Sequence, residues 1–151
     1  MDMDKFFRKY VWDDQRTPYF VPVARLTRRQ AEYETLFYAV ITGVLFAMVA
    51  VAALSNQLPH GDARGVSIYA FTQVCAALLL GAAVNFWPAL YCASAPFAAL
   101  LYFAFFGFHS SLGAGDKTLL VAAMVLWVWY CRRLLAIARA YPSLAESSGQ
   151  R

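Results

Sequence analysis

Two histidines, three cysteines and nine carboxylates are the side chains of this 151-residue chain most able to carry chemistry, and their spacing limits what that chemistry can be. His60 and Asp62 share one polar stretch and His109 and Asp116 another; two imidazoles with two carboxylates form a donor set that could hold a metal ion. The four lie on separate connections with no short fixed spacing, so solvated loop side chains are the simpler reading and no cofactor is expected. Haem held between helices would need a histidine deep in an apolar run, and neither histidine has that position. Cys75, Cys92 and Cys131 form no local motif, and a cysteine in an apolar helix usually packs as a small hydrophobe. Thiol oxidation in a four-span protein would need paired cysteines near the outer face. Nucleophile elbows, phosphate-binding glycine loops, HExxH and nucleic-acid modules are missing from the sequence, so an enzyme or a nucleic-acid partner is not expected.

The neutral polar residues Thr72, Gln73 and Asn85 could line a polar path through apolar helices, although amides in such helices more often cross-link them. Proton-coupled transport would need an ionisable group inside the bundle, and Glu32 and Glu34 are placed by their position at the cytoplasmic approach to the first apolar run. A different kind of candidate lies near the N-terminus, where Trp12, Tyr19 and Phe20 sit on a strip broken by Pro18 and Pro22. Exposed aromatics on an extended strip need cover from a bilayer or from a neighbouring protein.

The elements that must position these residues follow from composition. The chain is 61% hydrophobic and 15% charged, whereas soluble domains have about 25% charged residues. Four apolar runs, 36–54, 66–86, 89–108 and 118–135, each approach the roughly 20 residues a helix needs to cross hydrocarbon. None contains Asp, Glu or Lys, and Arg132 and Arg133 lie in the last turn of the fourth. Helices are the economical way to satisfy the backbone in lipid. The reading is an all-α polytopic membrane protein, a four-transmembrane-helix bundle.

Basic residues orient it. Lys5, Arg8, Lys9, Arg16, Arg25, Arg28 and Arg29 precede the first run, and Arg132, Arg133, Arg139 and Arg151 end or follow the fourth. The opposite face has only Arg64 and Lys117, so the positive-inside rule predicts both termini in the cytoplasm of a cell with an inner membrane. Aromatic residues near the same ends, Tyr33, Tyr38, Trp87, Tyr91, Trp127, Trp129 and Tyr130, read as an interfacial belt. No signal peptide is expected, because the first apolar run begins about 35 residues in.

Residues 1–27 read as an interfacial arm opening with a short amphipathic helix over 1–12, residues 28–141 as the four-helix domain and residues 142–151 as a flexible tail. Thr27 and Gln30 have capping-box spacing, which predicts a first helix starting near Arg28. Arg28 and Glu32 form an i,i+4 pair on a face read as solvated. Pro88 suits a first helical turn, and Pro96 predicts a kink with an unpaired carbonyl in the third helix. Small residues at Gly43 and Ala47, Ala77 and Gly81, and Ala95 and Ala99 have the spacing for close helix approach. The functional expectation is a non-catalytic accessory or assembly subunit of a larger inner-membrane complex, in contact with membrane lipids and with an integral-membrane partner or further copies of itself. The alternative is a small oligomeric transporter or channel using Gln73 and Asn85.

Overall fold

A computed structural model describes residues 21–55, 63–107 and 113–144. Within them the secondary structure is helical, with no strand among the described residues. Helix α1 spans Arg28–Leu54, α2 Ala63–Ala82, α3 Phe86–Ala93, α4 Ala95–Tyr102 and α5 Ala114–Ala140. Short 3-10 turns at Val23–Arg25 and Tyr141–Ser143 flank the set, and a π-helical turn, Phe103–Gly107, extends α4. Four helical stretches are long and apolar enough to cross a membrane: Arg28–Leu54, Gly65–Ala82, Phe86–Phe105 and Ala114–Ser143. This is the make-up of a multi-pass membrane protein.

Each boundary has a local cause. The α1 start is a complete capping box, with the Thr27 hydroxyl accepting from the Gln30 N–H and the Gln30 side chain accepting from the Thr27 N–H. Pro88 sits in the first turn of α3, where its missing N–H costs nothing. Pro96 divides the third span at Ser94 into α3 and α4. At the other limit, α5 gives way to the 3-10 turn that contains Pro142.

Helices α1 and α2 are antiparallel and close. A Cβ on Gly43 would lie 3.6 Å from the Ala77 Cβ, and one on Gly81 would lie 3.6 Å from the Ala39 Cβ and 3.4 Å from the Leu36 Cδ1. Small residues at these positions allow the backbones to approach, which matters where lipid removes any hydrophobic drive for helix association. On α2 the buried residues Ala70, Gln73, Ala77 and Leu80 form one stripe at helical spacing. The main core joins Tyr38 and Ala39 of α1, Ala76, Ala77 and Leu80 of α2, Ala89, Cys92 and Ala93 of α3, and Cys131, Leu134 and Ala138 of α5. A smaller cluster of Leu26, Ala31, Ile137 and Leu144 closes the end where α1 begins and α5 finishes.

Burial divides the expected aromatic belt into two groups. Tyr33, Trp87, Tyr91 and Trp129 are exposed, as interfacial residues should be, whereas Tyr38 is buried and Trp127 and Tyr130 pack partly against the core. The aromatics of the third span split in the same way, with Phe97 and Phe105 facing outward and Phe103 packed inside.

Candidate functional site

The described polar side chains gather into three joints between helices. The first is built on Glu34, which the sequence places at the approach to the first apolar run, outside the bundle, and which the structure buries. It is 1% exposed, and it takes a two-pronged salt bridge from Arg133 of α5, Nε to Oε1 at 2.6 Å and Nη2 to Oε2 at 3.0 Å. The Tyr130 hydroxyl donates to the same Oε1 at 3.1 Å, and Arg133 Nη1 donates to the Val21 carbonyl at 2.8 Å. A carboxylate removed from water is tolerable only with such compensation. The α1 turn beyond it adds outer contacts: Tyr141 donates to Glu32 at 2.5 Å and Arg28 to the Pro142 carbonyl at 3.1 Å. Both members of the expected Arg28–Glu32 pair therefore reach across to the end of α5.

One turn further along α1, Tyr38 forms the second joint. Pro96 has no N–H for the carbonyl four residues back, which belongs to Cys92. The Tyr38 hydroxyl supplies a donor to that carbonyl at 3.4 Å, lies 3.3 Å from the Cys131 Sγ and accepts from Trp127 Nε1 at 3.0 Å. Its ring stacks on Tyr130 at a centroid distance of 5.7 Å, which links the first and second joints. Cys92 and Cys131 are buried and Cys75 half-buried, and all three thiols are free.

The third joint lies at the break between α3 and α4. Fully buried Gln73 of α2 directs the two hydrogens of Nε2 at a cluster of three acceptors, the Tyr69 hydroxyl at 2.7 Å, the Tyr91 carbonyl at 3.0 Å and the Ser94 hydroxyl at 3.1 Å. The Ser94 hydroxyl also donates to the Tyr91 carbonyl, and Thr72 meets the Tyr91 hydroxyl at 2.7 Å. Gln73 Oε1 is buried without a hydrogen-bond partner among the described residues, as is Thr35 Oγ1.

Of the residues singled out from sequence, Thr72 and Gln73 therefore come together at α2 and α3. Asn85 does not join them: it is exposed in the turn before α3, about three helical turns from Gln73, and its side chain makes no capping hydrogen bond. Asp116 lies in the first turn of α5, and the described residues contain no group of three or more potential metal-ligating side chains. His60, Asp62, His109, Trp12, Tyr19, Phe20 and the amphipathic helix expected over 1–12 fall outside the described residues. Sequence reading placed Glu34 at the cytoplasmic approach, Arg133 in the last turn of the fourth run and Tyr38 in the aromatic belt, and did not bring them together. Their signal was present in the helical spacing that puts Glu34 and Tyr38 on the same face of α1 as Ala31 and Thr42.

These joints have the chemistry of structural cross-links. Their donors and acceptors converge on one another, and Tyr38, Cys92 and Cys131 are enclosed in the main core. Comparisons with protein families, curated proteins and solved structures found no match to the chain.

Proposed function

We propose that this chain is a non-catalytic accessory or assembly subunit of a larger inner-membrane complex, respiratory or transport in type, with both termini in the cytoplasm. The observation that carries the reading is that the grouped polar side chains of the described residues are spent on holding helices of the same chain together. A scaffold of this kind presents its outer surface rather than an internal cleft. The apolar stretch of α5 is the least buried of the four within the chain. The arm residues Trp12, Tyr19 and Phe20 supply aromatic anchors for a partner, and aromatics dominate interface energetics. The arm meets the described residues at Val21, whose carbonyl Arg133 holds.

Native mass spectrometry after purification in mild detergent tests this. The expected species contains the chain with a different membrane protein in fixed stoichiometry, and Trp12→Ala with Phe20→Ala releases it. A homogeneous monomer or homodimer would sink the subunit reading.

Gln73 favours a second reading, in which several copies form a small transporter. Its carbonyl oxygen, without a partner among the described residues, is an acceptor that a polar solute could use. Liposomes containing only this chain would then show solute flux, and Gln73→Leu would abolish it; an unchanged rate would remove that pathway.

A further inference from the structure

Arg132 and Arg133 are adjacent on α5 but face different surroundings. Arg133 turns inward to Glu34, whereas Arg132 is exposed and has no hydrogen-bond or ion-pair partner among the described residues. Seven residues on, Arg139 is also exposed, and its partner among the described residues is the face of the Phe86 ring, 5.1 Å from the guanidinium carbon. A spacing of seven returns a helix to within about 20° of the same face. Arg132 and Arg139 therefore lie along one stripe, with exposed Ala136 between them and Trp129, 64% exposed, on the turn below Arg132. Across from the stripe, Phe86 opens α3 and meets Trp87, 75% exposed, edge to face at 5.8 Å.

We infer that this α3–α5 surface binds the headgroup of an anionic phospholipid, with Arg132 and Arg139 on the phosphate and Trp87 and Trp129 against the glycerol and upper acyl chains. Charge complementarity selects the occupant. Two guanidinium groups without carboxylate partners among the described residues sit at the end of an apolar span, where the anions a bilayer supplies are lipid phosphates. Guanidinium binds phosphate through paired N–H donors, and indole rings favour the headgroup boundary. A small side chain at Ala136 leaves room for the headgroup between the cations. The inference is independent of the subunit reading, because it concerns lipid on the outside of one chain.

The test uses the full chain carrying Trp12→Phe, which leaves Trp87, Trp127 and Trp129 as emitters. The chain is placed in nanodiscs of phosphatidylcholine and phosphatidylglycerol, with bromine on the acyl chains of one lipid at a time. Brominated phosphatidylglycerol should quench the emission as if enriched about thirtyfold over brominated phosphatidylcholine, the scale set by two basic residues near an anionic surface. Arg132→Gln with Arg139→Gln should abolish most of that preference, and Arg132→Lys with Arg139→Lys should keep much of it. Both pairs change exposed side chains, and circular dichroism checks that the helices persist. Equal quenching by the two lipids, or a preference undiminished in the glutamine variant, would overturn the site.

Discussion

At the scale of single residues, a side chain's place around the helix outweighs its place along the chain. Glu34 lies two residues before the first uncharged run, yet it belongs to the buried face of α1 and meets an arginine 99 positions later. Removing either charge from water costs several kcal/mol, and their attraction with the added hydrogen bonds offsets that cost. Arg133→Leu strands the carboxylate and should destabilise the protein by about 3–5 kcal/mol, while Glu34→Leu with Arg133→Leu should recover most of the loss. Thermal unfolding in a single detergent checks both. A double variant as unstable as the single one would show that the pair holds more than its own charges. Thr35 offers the opposite case: its buried hydroxyl has no partner among the described residues, so Thr35→Val should raise the unfolding temperature, by the equivalent of about 1 kcal/mol.

Among the elements, the third span shows how a break becomes a contact. Pro96 leaves the Cys92 carbonyl without its helical donor, and Tyr38, brought in by α1, takes that place. Pro96→Ala restores an N–H for this carbonyl, so Tyr38→Phe should cost less in that background than in the native chain, by roughly the 0.6 kcal/mol typical of a hydrogen bond between membrane helices. A double-mutant cycle measures the difference, and equal costs would mean that the tyrosine serves Trp127 and Cys131 instead. Proline positions, the Thr27–Gln30 box and the four apolar runs were legible because each acts through neighbours close in sequence. The inward turn of Tyr38, Trp127 and Tyr130 was not, since an aromatic near a helix end suits a headgroup boundary and a helix interface equally well. The site was half legible for the same reason. Gln73 could be marked as a helix cross-linker from its type alone, but its partners Tyr69 and Ser94 become visible only once the α2–α3 hairpin sets their register.

For the molecule as a whole, the internal ion pair leaves the charge count behind the expected orientation intact. The positive-inside rule counts basic residues near the ends of spans rather than net charge, so Arg133 still counts although Glu34 pairs with it, and eleven basic residues at the two ends stand against Arg64 and Lys117. The contacts between Arg28 and Pro142 and between Glu32 and Tyr141 independently require α1 to start on the side where α5 ends. A fluorescent protein that folds only in the cytoplasm, fused at either terminus, should therefore be bright, and a phosphatase active only outside the inner membrane should work when inserted after Asn56 and fail at Arg151. Glu34→Leu with Arg133→Leu should leave that pattern unchanged, because ten basic residues remain at the two ends without Arg133. Phosphatase activity at Arg151 would reverse the orientation; activity there only in the double variant would mean that the buried arginine helps set topology during insertion, before it finds its carboxylate.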